Sequence, residues 1–347
     1  MKSSWRFFLS PDVTLIVFIV AVALAFDYLN GFHDAANSIA TVVSTRVLSP
    51  GQAVIWAAFF NFVAAFTVGT HVAKTVGKGM VDPAGITVYV ILAALIGAIV
   101  WDLVTWYYGL PSSSSHALIG AFGGAAVVHG GWKVLIASGF QKTILFIFVS
   151  PILGMILGFI FMTIIFNLFR KFTPSAVDGV FRIGQFFSAA AYSIGHGAND
   201  SQKTMGIIVA LLLAGNHADW AYRPGTQEIA WWIIICCYAA MGVGTMTGGW
   251  RIVKTMGQRI TKLKPVGGFC AEMGGAISLF VAASLGVPVS TTHTITGAII
   301  GVGSTTSMSA VRWGVAGRIV WAWVLTIPAS ALVAGVFEWI FSMAGWS

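Results

Sequence analysis

Two short runs combine carboxylate, amide and imidazole side chains inside otherwise apolar sequence. The first is Asn30-Gly31-Phe32-His33-Asp34-Ala35-Ala36-Asn37-Ser38, and the second is His196-Gly197-Ala198-Asn199-Asp200-Ser201-Gln202-Lys203-Thr204. In register, Gly31 falls on Gly197, Asp34 on Asp200 and Ser38 on Thr204, while Asn30/His33 are exchanged for His196/Asn199. A carboxylate in sequence apolar enough to lie in a bilayer is costly, and by default it marks function. Asp34 and Asp200, the amide oxygens of Asn37 and Asn199, and carbonyls of backbone expected to unwind at Asn30-Gly31 and 195–197 supply hard oxygen donors. Sodium or a divalent ion uses such a set, and a proton is the other candidate. Lys203 is placed to neutralise Asp200 or to meet an anion; the first copy has Asn37 in its place.

A second duplicated pattern is Gly109-Leu110-Pro111-Ser112-Ser113-Ser114-Ser115-His116, answered by Gly286-Val287-Pro288-Val289-Ser290-Thr291-Thr292-His293. Proline suits the first turn of a helix and hydroxyl residues suit its cap. Each run therefore reads as a helix start with free N–H groups and a positive dipole end, which favours an anion. Ser113, Ser114 and Ser115 with Ser290, Thr291 and Thr292 add uncharged donors, so a tetrahedral oxyanion is the expected guest. The plain alternative is that hydroxyl residues line tight helix contacts in membranes. An anion beside Asp34 and Asp200 needs a cation or proton between them, because like charges repel by several kcal/mol even at an effective dielectric of about 20. His116 and His293 occupy matching positions, for holding helix ends or carrying protons.

The elements that hold these runs must lie in a membrane. The chain is 57% hydrophobic and 9% charged, against roughly 25% charged for a soluble domain. Its net charge of +8 is spread over short gaps between apolar runs, the pattern of cytoplasmic loops and not of a nucleic-acid face. Cys236, Cys237 and Cys270 have no C-x-x-C spacing, so neither a disulfide nor a resident metal is expected. The run 13–26 is read as a retained span and not a cleaved leader. Further spans are expected over 52–72, 86–108 and 144–169, with 109–131 as a re-entrant or discontinuous segment. The second half repeats this over 186–213, 229–249 and 317–341.

Val72-Ala73-Lys74-Thr75-Val76-Gly77 aligns with Ile252-Val253-Lys254-Thr255-Met256-Gly257, so three matches recur in order. The reading is an all-α polytopic membrane protein of two inverted-topology repeats, about ten membrane segments in all. The first repeat takes residues 1–169, a short cytoplasmic linker 170–182, and the second repeat 183–347. Arg251, Lys254, Arg259, Lys262 and Lys264 place the 251–264 loop in the cytoplasm; on the same count Lys2 and Arg6 fall outside, against the rule. Asp27, Asp102 and Glu272 lie in or near apolar spans without repeat partners and are read as functional or ion-paired. A homodimer is allowed for by small-residue faces such as 120–126.

These motifs resemble the inorganic phosphate transporter (PiT) family, whose halves each carry a Gly-Ala-Asn-Asp-type signature. Gly197-Ala198-Asn199-Asp200 matches in full, while Gly31-Phe32-His33-Asp34 departs at two positions. The Asn-Gly-Phe-His-Asp form is similar to the bacterial branch regarded as proton-driven and accepting phosphate with a divalent metal. The resemblance covers essentially the whole chain, without the large central insertion of many members. It implies an inner-membrane symporter of inorganic phosphate, not an enzyme, coupled to H+ or Na+. It implies phosphate binding by Ser113, Ser114, Ser115, Ser290, Thr291 and Thr292, with Gln202 and Lys203 alongside. Coupling-ion or proton binding falls to Asn30, His33, Asp34, Asn37, Asn199 and Asp200. His33 replaces an amide ligand and favours protons. The rivals are a sulfate permease of the same family, an intramembrane serine hydrolase using His116 or His293, and a metal-cation transporter.

Overall fold

A computed structural model describes residues 11–67 and 69–346; Lys2 and Arg6 lie outside the described residues. The first half comprises α1 (Pro11–Ser44), α2 (Pro50–Val63), α3 (His71–Gly79), α4 (Val88–Tyr108), α5 (Ser114–Gly130) and α6 (Ala137–Phe169). The second comprises α7 (Pro174–Ala214), α8 (Trp231–Thr247), α9 (Trp250–Lys254), α10 (Pro265–Ser284), α11 (Thr291–Thr306) and α12 (Trp313–Met343). Among the described residues there is no strand, only isolated bridges at Val81/Leu135 and Tyr222/Ile229. Both halves keep the same order. The α2–α3 pair bends by 79°, the α8–α9 pair by 61°, and Pro151 in α6 is answered by Pro328 in α12.

Among the described residues five helices are long and apolar enough to cross a membrane, or up to seven if each bent pair counts as one span. The outer helices α6 and α12 turn large apolar residues outward, among them Phe148, Phe159, Trp321 and Leu332. Polar side chains such as Asp34, Asp102, Asp200 and Glu272 are buried, beside two clusters of buried apolar residues. The short helices α5 and α11 are buried along most of their length. Each is covered by a long outer helix, α11 by α6 and α5 by α12, so that each half's short helix lies under the other half's last helix.

Glycine permits these close crossings. A Cβ at Gly120 would stand 2.7 Å from the Ile327 carbonyl oxygen, and one at Gly124 would collide with that of Ala331. The 120–126 face read as allowing a dimer is packed within the chain against α12.

The expected breaks in α1 and α7 are also corrected. Both helices run through their Asn–Asp motifs, so no carbonyls are freed at Asn30-Gly31 or 195–197. The glycines there serve contact: a Cβ at Gly31 would collide with the Met241 carbonyl, and one at Gly197 would stand 2.5 Å from that of Asn61. The break falls instead between α2 and α3 and between α8 and α9. Pro174 opens α7, so residues 174–182 are its first turns and the α6–α7 link is only 170–173.

Candidate functional site

Gly109 ends α4 with φ 64° and Gly286 follows α10 with φ 66°, left-handed values that side chains resist. Each turn delivers a hydroxyl run to a helix start. Ser113 caps α5, accepting from the His116 N–H at 3.2 Å, and Ser290 caps α11, accepting from His293 N–H at 3.2 Å. With those hydroxyls spent on capping, the next two residues of each run face the carboxylates.

The pairs cross over. Ser114 donates to Asp34 Oδ1 (3.4 Å) and Ser115 to Asp200 Oδ1 (3.1 Å). Thr291 donates to Asp200 Oδ2 (2.8 Å) and Thr292 to Asp34 Oδ2 (3.5 Å). Each carboxylate thus takes one hydroxyl from each half of the chain. Asn37 Nδ2 joins the second arm, donating to Thr291 and Thr292 at 3.1 and 2.9 Å. All these side chains are at most 3% exposed, so bulk water does not screen them.

The two carboxylates are not equivalent. Lys203 Nζ donates to Asp200 Oδ1 at 2.7 Å, to Ser115 Oγ at 2.5 Å and to the Val289 carbonyl at 2.6 Å. Asp34 has no lysine; His33 Nδ1 lies 2.7 Å from its Oδ1, and His33 Nε2 lies 3.0 Å from Thr105 Oγ1. His196 Nε2 lies 3.3 Å from Asp200 Oδ2. The exchange of Asn and His between the motifs therefore leaves each aspartate one imidazole. The Asp34, His196 and Asp200 ligand atoms lie within 4.8 Å of one another, close enough for one cation.

The buried amide oxygens of Asn30, Asn37 and Asn199 accept no hydrogen bond, while Asn199 Nδ2 is spent on the Gly195 and Leu279 carbonyls at 3.0 and 3.1 Å. Gln202 is placed elsewhere. Its Oε1 accepts from Val72 and Ala73 N–H groups and its Nε2 donates to the Gly69 carbonyl, so it holds the start of α3.

The buried acids outside the motifs divide. Glu272 is satisfied by Thr41, Gln185 and Ser188. Asp27 accepts from Thr204 through one oxygen only, and Asp102 carries no hydrogen bond on either. His116 and His293 meet edge to face at 4.8 Å, and His293 stacks on Trp323. Neither His116 nitrogen reaches a partner, and Ser115 is held by Asp200 and Lys203, so no Ser–His nucleophile pair exists among these groups. The sequence alone did not bring His196 into the ion set, although its i,i+4 spacing to Asp200 puts the two on one helix face.

The profile of the phosphate transporter family matches residues 30–177 and 170–334. A Rhizobium meliloti protein described as a probable low-affinity inorganic phosphate transporter is 56% identical, covering 93% of this chain and 95% of the relative. A Bacillus subtilis protein described in the same words is 46% identical, covering 96% and 99%. The chain belongs to the phosphate transporter family. It is a member of the bacterial branch and a transporter, not an enzyme. A solved structure described as the sodium-dependent phosphate transporter superposes on this family member with a TM-score of 0.85 at 26% identity, covering 95% of this chain and 99% of that one.

Proposed function

We propose that the chain is a secondary active symporter that carries inorganic phosphate across the cell membrane, coupled to protons. The anion is held between the 113–115 and 290–292 runs, with Lys203 at its edge. The observation that carries this is the crossing of Ser114, Ser115, Thr291 and Thr292 onto Asp34 and Asp200. A hydroxyl has a single proton to donate. While a carboxylate is charged it holds that proton; once the carboxylate is protonated, the hydroxyl is free to turn to an oxyanion. Cation and anion binding are then linked, and linkage is reciprocal. Asp34 is the acid that changes state, since its hydroxyl contacts are long and its partner is an imidazole able to pass a proton. Asp200 is kept paired by Lys203. The two halves act as inverted arms in alternating access, with the 251–264 loop in the cytoplasm.

Sodium coupling is the second reading. It is favoured by the unpartnered amide oxygens of Asn30, Asn37 and Asn199 and by the likeness to a transporter described as sodium-dependent. Phosphate carried as a neutral complex with a divalent metal fits the same carboxylates. Sulfate carries no proton at neutral pH, so discrimination rests on a carboxyl oxygen of Asp34 or Asp200 accepting a hydrogen bond from protonated phosphate.

Labelled-phosphate uptake into proteoliposomes tests these readings. An inward proton gradient without sodium should drive accumulation, and excess sulfate should leave it unchanged. Accumulation only with a sodium gradient would replace the proton reading, and equal competition by sulfate would remove the phosphate assignment.

A further inference from the structure

Away from the central site, two hollows adjoin where α6 ends and α10 begins. The larger, of about 550 Å³, lies between α6, the first turn of α10 and the end of α11. The smaller, of about 310 Å³, lies between α6, the 170–173 link and the start of α7. Phe166, Lys264 and Val266 line both, so the hollows share a wall. Both linings include apolar side chains, Met162 and Val302 in the larger hollow and Ile165 and Phe169 in the smaller.

The lining also carries charge. Lys262, Lys264 and Arg312 line the larger hollow and Arg170 the smaller. Among the described residues none of the four pairs with a carboxylate, and Asp178, the acid beside Arg170, is engaged by Arg182 at 3.1 Å. The frame is built. Arg312 N–H donates to the Ile260 carbonyl at 2.9 Å, and Thr261 Oγ1 donates to that of Ala310 at 3.1 Å. These bonds tie the loop before α10 to the loop after α11.

Clustered cations in clefts that also hold apolar side chains, against the outer helix α6 that turns large apolar residues outward, fit a phosphodiester head with acyl chains. A free phosphate would leave the apolar walls without a partner. The basic 251–264 loop is expected in the cytoplasm, where anionic lipids concentrate. We propose that the paired hollows bind one anionic phospholipid, phosphatidylglycerol in the simplest case. Its phosphate rests on Lys262, Lys264 and Arg312, and its chains part around Phe166 into the two hollows. The lipid clasps the far end of α11, whose first residue is Thr291. It therefore stiffens the arm that reaches the carboxylates, whichever cation the transporter uses.

The test is native mass spectrometry of the full chain in detergent, incubated with equimolar phosphatidylglycerol and phosphatidylcholine. Phosphatidylglycerol should be retained at least tenfold over phosphatidylcholine. In a variant carrying Lys262→Ala, Lys264→Ala and Arg312→Ala, its retention should fall roughly fivefold for each charge removed, the equivalent of about 1 kcal/mol per basic residue. A charge-keeping variant, Lys262→Arg with Lys264→Arg and Arg312→Lys, should retain the lipid and serves if the alanine variant does not fold. Equal retention of the two lipids, or unchanged retention in the alanine variant, would overturn the proposal. So would displacement of the lipid by millimolar inorganic phosphate, which would assign the hollow to the free anion.

Discussion

Asp200 is surrounded by Lys203, Ser115, Thr291 and His196 at 2.7 to 3.3 Å, whereas Asp34 has one short contact, to His33, and two hydroxyls at 3.4 and 3.5 Å. This asymmetry divides their labour. Asp34→Asn should keep phosphate exchange across the vesicle membrane and lose gradient-driven accumulation; accumulation at the wild-type level would remove Asp34 from coupling. Asp200→Asn strands the Lys203 ammonium, and losing one partner of a buried pair costs about 3–5 kcal/mol. Its thermal midpoint in detergent should drop, and Lys203→Met added to it should recover part of the loss. A double variant no more stable than the single one would mean that Lys203 does not depend on Asp200. Hydrogen bonds to charged groups are worth about 1.5–3 kcal/mol. Ser114→Ala or Thr292→Ala, whose hydroxyls are released when Asp34 is protonated, should therefore raise the KM for phosphate roughly ten- to a hundredfold, while Gln202→Ala should lower stability with little change in KM.

At the scale of elements, close helix crossings set the positions of the motifs. Gly31→Ala forces a Cβ into the Met241 carbonyl and Gly197→Ala into that of Asn61. Each should cost about 1–3 kcal/mol or more, seen as a lower unfolding temperature, whereas Gly51→Ala, with nothing within 4 Å, should be neutral or slightly stabilising. Equal thermal midpoints for all three would contradict the close-crossing account. The hydroxyl runs were legible as helix starts because capping is local, a capping serine and its helix being neighbours in sequence, although Pro111 and Pro288 lie before the caps and not in the first turn. The continuity of α1 and α7 was not, because Asn30-Gly31 carries the residues of a break and only the distant α8 shows that Gly31 is needed for contact. Gln202 was illegible for the same reason. It stands between Ser201 and Lys203, but its side chain serves the start of α3, well over a hundred residues earlier.

For the whole molecule, a composition of 57% hydrophobic and 9% charged residues made the all-helical membrane architecture readable. The partners were not. Nothing along the chain indicates that α6 covers α11 while α12 covers α5, since that exchange between halves belongs to packing. It places the two hydroxyl runs against one pair of carboxylates, so the site exists only when both halves are assembled. On the proposed reading these runs hold a single tetrahedral anion between them. Arsenate matches phosphate in shape and charge and can be located by its anomalous scattering in crystals of the full chain. One buried peak is expected, with its oxygens within about 2.5–3.0 Å of the Ser114 and Thr292 hydroxyls, as O–H···O bonds require. A peak confined to the Lys262–Arg312 hollow, or to either run without the other, would contradict it.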